Sequence, residues 1–166
     1  MRETKITRQD NGQTFTFPNH FLDSERNVFD VGPDKIRLPL SGPLQNIGND
    51  FDGVGKVIPI SGTFYFIDEA ESVVTGGENP PLINKPIQMK YWLESLADGS
   101  QRTIALDSYI SEYSLVNGNG TTVIDGVEIP GTFKPTTGYI DDLEFSENDT
   151  TPLAIDFSFN VWVAGN

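Results

Sequence analysis

The chain has 166 residues, no cysteine and a net charge of −13, from 24 acidic and 11 basic side chains. That length supports one domain with a substantial core, and without thiols neither disulfides nor thiolate-bound metals contribute. The charge opposes adhesion to a phosphate backbone, no run approaches the ~18 apolar residues of a membrane span, and the polar start MRETKITRQDNGQTFTF lacks a secretory h-region; a soluble chain made in the cytoplasm, with no membrane partner, is expected.

The charge is uneven. Beyond Arg102 the only base is Lys134, and nine of the thirteen net negative charges fall in the last 64 residues. Solubility, a salty habitat, or a surface that must repel nucleic acid would each favour such an excess.

Residues 4–9 and 13–17 read as strands around Asp10-Asn11-Gly12, a compact hairpin signal. Residues 18–34 read as a connector with apolar anchors at Phe21, Leu22, Val28 and Phe29. KIRLPL, 35–40, is a short strand, and 41–54 carries turn residues throughout. In KVIPISGTFYFID, 56–68, Ile58, Ile60, Phe64 and Phe66 share a face, while Pro59 predicts an edge strand or a bulge because it cannot donate to a ladder. Residues 67–85 form an acidic excursion without a period, bearing Glu69, Glu71 and Glu78. One helix follows at about 86–98. Asn84 is its expected cap, Pro86 suits its first turn and Gly99 stops it. Its apolar stripe is Met89, Trp92, Leu93 and Leu96.

The rest returns to strands. Residues 101–109 come first, then a hairpin with arms at about 108–116 and 121–133, joined by the turn-forming run Asn117-Gly118-Asn119-Gly120. Residues 138–146 and 153–163 finish, with 147–152 as a loop. In the last strand Leu153, Ile155, Phe157, Phe159, Val161 and Val163 alternate with Ala154, Asp156, Ser158, Asn160 and Trp162. One face wants a core, and Trp162 stands on the other. The expected fold is mainly β: an antiparallel β-sandwich or partly closed barrel with one flanking α-helix. It forms a single domain, 1–166, whose first 34 residues make a hairpin and connector.

Catalytic patterns are missing. His20 is the only histidine and no G-x-S-x-G elbow accompanies it. Zinc lacks a ligand set, and no phosphate-binding loop is present. NDFDG, 49–53, starts like a calcium loop but continues with Val54 and lacks the closing glutamate, so turn chemistry accounts for it. The densest acidic cluster, Asp141-Asp142-Leu143-Glu144, reads as a solvated strand edge or loop. No enzyme activity, catalytic residue, metal or cofactor is expected.

Three stretches, GKVIPISGTF (55–64), KYWLESLADGSQ (90–101) and DLEFSENDTTPLAIDFSFNVWVAG (142–165), follow the order strand, helix, aromatic C-terminal strand. This plan resembles virion proteins of tailed viruses, in particular the tail tube and distal tail group, over most of residues 35–166. The resemblance implies a β-sandwich with a flanking helix that forms rings, usually hexameric, stacked into a tube in the virion tail. A hairpin from each subunit would contribute to a continuous β-barrel around an acidic lumen, through which DNA passes without specific binding. The implied partners are further copies of the chain and other tail proteins. Asp107, Glu112, Asp125 and Glu128, in the base-free stretch 104–133, are then the lumen-facing candidates. Trp162, Glu69, Glu71 and Glu78 are the subunit-interface candidates. A distal tail, baseplate or tail-terminator ring is the neighbouring alternative. A monomeric carbohydrate-binding module is the alternative of another class, and it needs Trp162 or several of Tyr65, Tyr109, Tyr113 and Tyr139 exposed together.

Overall fold

A computed structural model describes residues 2–30, 55–100 and 102–163. The strand expected at 35–40 and the Asp50/Asp52 pair lie outside the described residues. Within them the alternating stretches become β1 (Thr4–Arg8), β2 (Thr14–Phe17), β3 (Leu22–Glu25), β4 (Val28–Asp30), β5 (Gly55–Phe64), β6 (Val74–Thr75), β7 (Ile104–Asp107), β8 (Tyr113–Ile124), β9 (Val127–Pro135), β10 (Thr137–Glu147) and β11 (Ile155–Val163). Nine strands share one antiparallel sheet in the order β3-β5-β11-β10-β7-β1-β2-β6, with β4 also beside β5. Strands β8 and β9 pair only with each other.

The large sheet folds over on itself where β10 meets β7, a junction of just two residue pairs, Thr137 with Ala105 and Gly138 with Ile104. One layer buries Ile58, Ile60, Phe64, Phe157, Phe159 and Val161; the other buries Ile6, Phe15, Phe17, Ile104 and Leu106. The rings meet between them: Phe17 lies 5.6 Å from Phe157 and 6.1 Å from Phe159, and Phe15 lies 5.8 Å from Phe64. Each fully buried phenylalanine contributes about 1.5–3 kcal/mol of transfer free energy, so this stack dominates the core. The protein is mainly β, a sandwich made from one bent antiparallel sheet with one helix on it, and the described strands do not close into a barrel.

The helix α1 (Pro86–Glu94) extends through 3-10-type bonds from Leu96 N to Leu93 O and from Ala97 N to Glu94 O. Its expected stripe is buried. Trp92 packs 5.3 Å from Phe15 and donates its indole N–H to Gln13 Oε1 at 3.0 Å. The cap differs from expectation. Lys85 is the N-cap, and Gln88 Oε1 accepts the backbone N–H groups of Asn84 and Lys85. Asn84 instead donates its side-chain amide to the carbonyls of Glu69 and Glu71, at 3.0 and 3.3 Å. That bond, the pairing of β6 with β2, and burial of Val73, Val74 and Ile83 fold the excursion 67–85 back onto the body.

Other differences have equally local causes. The connector contains a 3-10 turn, Asn19–Phe21, as well as β3 and β4; Phe21 is buried, but Val28 and Phe29 are exposed. Gly62 lets that turn ride directly over β5, since a Cβ there would stand 1.9 Å from the Phe21 carbonyl oxygen. Pro59 is not on an edge: β5 has β11 on one side and β3 and β4 on the other. Its missing donor falls at the break between those two short strands, which pair at Glu25 with Ile60 and resume at Val28 with Val57. Phe66 lies beyond β5 and is exposed. Leu153 is not part of the last strand. Bonds from Asn148 N to Ala154 O and from Ala154 N to Thr151 O close a tight loop. The loop buries Ala154 and turns Leu153 outward at φ +64°.

Candidate functional site

Hairpin β8–β9 stands apart from the large sheet, pairing with no other described strand. Its nine-residue arm β9 reaches about 30 Å at the usual strand rise. The turn is Asp125-Gly126, with φ of 52° and 79°, the two positive values a two-residue type I′ hairpin requires. The expected turn at 117–120 is instead a bulge inside β8. Asn117 faces Thr132 and Thr121 faces Pro130, so the three residues 118–120 lie opposite Gly131 alone. Asn119 N donates to Asn117 Oδ1 at 2.8 Å, and Thr132 Oγ1 donates to the Asn119 carbonyl at 2.7 Å, which satisfies the extra backbone across the ribbon.

Both outer edges of this ribbon are unpaired among the described strands, and Val123 and Val127 near its tip are 63% and 59% exposed. The four lumen-facing candidates separate into two pairs along its length. Asp107, on β7, and Glu112, in the 108–112 turn, both bind Arg2 at the root, the latter at 2.7 Å. The Arg2 guanidinium pulls the Glu112 carboxyl below its ordinary range. Asp125 and Glu128 sit at the exposed tip and form no ion pair among the described residues. The hairpin is therefore shorter than the stretch 104–133: its arms exclude Asp107 and Glu112, and only half of the acidic set belongs to it.

The root is fastened by buried polar groups. Lys56 Nζ, on β5, donates to Ser114 Oγ at 3.2 Å, and the Ser114 and Thr136 hydroxyls are 2.7 Å apart. Ser111 Oγ donates to Asn27 Oδ1 at 3.1 Å, while Asn27 Nδ2 donates to the Ile110 carbonyl at 3.1 Å. Burial pushes the Lys56 ammonium below its usual range, the Glu25 charge opposing it only in part. Burial likewise raises the Glu25 carboxyl, against the Ser108 and Ser111 hydroxyls and the Lys56 charge, and Glu25 Oε1 is buried without a hydrogen bond. A lysine and a serine in contact can act as base and nucleophile, but here both side chains are buried. Their hydrogen bonds tie the hairpin root to β5.

Trp162 is 40% exposed on the outer sheet face. Register places it in a row across four strands, Val28, Val57, Trp162 and Tyr139, whose side chains share that face. Glu69, Glu71 and Glu78 are exposed on the excursion, away from any ion pair among the described residues. The aromatic residues do not make one platform: Tyr139 neighbours Trp162, Tyr65 lies by His20 and Phe21 past the opposite end of β5, and Tyr109 stands in the 108–112 turn. No group of three metal-ligating side chains occurs among the described residues. The cluster at Asp141–Glu144 marks a bulge of β10, where Asp142 has φ 52° and accepts from Asn160 Nδ2 at 3.0 Å.

Sequence reasoning missed Arg2, Glu25 and Lys56 as members of the root. The isolated Asp-Gly pair in 121–133 was the available signal for the turn; nothing in the sequence linked Arg2 to residues more than a hundred positions away. Comparison with protein-family models, curated proteins and solved structures returns no match for this chain.

Proposed function

We propose that this chain is a structural virion protein of the tail tube class, which assembles into rings and stacked rings and forms a conduit for DNA. The observation that carries the reading is the hairpin β8–β9, a two-stranded sheet whose outer edges pair with no other described strand. A lone two-stranded ribbon is marginal in water, and an open edge is a template for pairing with another chain. In a ring each ribbon edge meets its neighbour's, the geometry a barrel uses to abolish edges. Asp125 and Glu128 then supply charge that phosphates cannot bind, whereas Arg2 neutralises part of the charge at Asp107 and Glu112. The row ending in Trp162 and Tyr139 offers a separate apolar strip for lateral contact, and other tail proteins would continue the stack.

Light scattering coupled to size exclusion, with negative-stain images of the same fractions, tests this across concentration. Rings or tubes are expected. A monomer at every concentration and ionic strength overturns the proposal.

A further inference from the structure

We propose that a groove at the opposite end of the sheet receives the hairpin tip of a second copy, joining molecules head to tail; this rests on the self-assembly reading above. The groove holds about 530 Å³ and is walled by Phe66, Ile87 and Leu153, with Lys85 and Glu147 at its margins. Those three large apolar side chains are 52%, 49% and 77% exposed. Leu153 is held there by a left-handed backbone, a conformation that side chains of its kind rarely adopt. The turn closes its own hydrogen bonds and buries Ala154 but leaves the leucine side chain in solvent, and such strain concentrates where a surface has a task.

The tip brings apolar side chains to the groove's apolar walls and acids to its one base, Lys85. Val123 and Val127 are exposed apolar knobs, and Asp125 and Glu128 accompany them with no base in 123–128. Lys85, the N-cap of α1, forms no ion pair among the described residues, and its ammonium is the groove's partner for a tip carboxylate. Glu147 repels one, which favours a single orientation of the tip. Position completes the match. The hairpin rises where Gly138 and Lys56 pair with Val163, and the groove opens where Phe64 and Glu147 pair with Ile155. Unlike surfaces at opposite ends produce a heterologous, head-to-tail contact that repeats from copy to copy.

The chain lacks cysteine, so two single variants, Val127→Cys and Leu153→Cys, provide the test. Mixed, assembled and oxidised, they should give a disulfide-linked mixed dimer that neither yields alone. Leu153→Gly supplies the second measurement: removing the left-handed strain should raise the melting temperature by a few degrees, while the concentration needed for assembly rises about tenfold. Particles that form without the mixed disulfide, or with an unchanged threshold in Leu153→Gly, overturn the docking and leave the assembly reading standing. Efficient linkage of Leu153→Cys to itself overturns it in favour of groove-to-groove pairing. A protein that forms no particles at all overturns both.

Discussion

Burial pushes the Glu25 carboxyl up, whereas the Arg8 side chain, through its hydrogen bonds, pulls Asp10 down to about 2. The two groups therefore respond to acid in opposite senses. The folded-state pKa of Glu25 lies above its unfolded value, so its contribution is fully present in acid and is lost as pH rises through and beyond 4.5. For Asp10 the contribution is present above 3.8 and is lost as pH falls toward about 2. Urea unfolding of Glu25→Gln between pH 4 and pH 7 should show a weaker decline of stability with pH than the parent; parallel curves would mean that the carboxylate is not desolvated. Gly62 makes a steric prediction. Gly62→Ala should cost about 3 kcal/mol or more in the same assay, the upper range for overpacking, because the added carbon meets backbone and not a side chain that can swing away. None of this was legible beforehand. Glu25 lay in a stretch read as connector, and a glycine between Ile60 and Thr63 looked like any strand glycine until the 3-10 turn was seen to cross it.

Strands and helix were the most legible elements, because periodicity reports directly on a face that must be buried. The helical stripe at Met89, Trp92, Leu93 and Leu96 and the alternation from Ile155 to Val163 both point where expected. Turns were less legible, since two runs in one hairpin carry turn residues and only pairing decides between them. Gly126 sits at φ 79° in the turn, whereas Gly118 has ordinary φ and open space around its Cα. Gly126→Ala should thus weaken the hairpin by about 1–2 kcal/mol, seen as faster amide exchange along β8 and β9. Gly118→Ala should stay within about 0.5 kcal/mol of the parent. The reverse ranking would return the turn to residues 117–120. At the other end of the chain, alternation extended two residues too far. Leu153 fits the stripe by spacing, but hydrogen bonds around Asn148 and Ala154 prevail over periodicity there.

For the whole molecule, charge sets the terms of association. A chain of net charge −13 repels its own copies, and that repulsion is screened over ~10 Å at 0.1 M salt and over ~3 Å at 1 M. Contacts made chiefly by open strand edges and apolar knobs should therefore strengthen with added sodium chloride, and light scattering from 0.05 to 0.5 M should rise. A fall would mean that ion pairs such as one to Lys85 dominate the contacts. The composition foretold the repulsion but not the groove, whose walls come from the segment just past β5, the start of α1, the end of β10 and the loop before β11. Nothing local in those four segments marks them as neighbours; the bent sheet brings them together.

The two tryptophans divide the optical signal of the chain. Trp92 is sealed between the helix and Phe15, and Trp162 stands on the open face of β11. A small quencher such as acrylamide would reach Trp162 in the folded monomer and Trp92 only after unfolding. Replacing either indole by phenylalanine leaves a chain with one emitter, so fluorescence lifetimes could follow the interior and the outer face separately in the same cuvette.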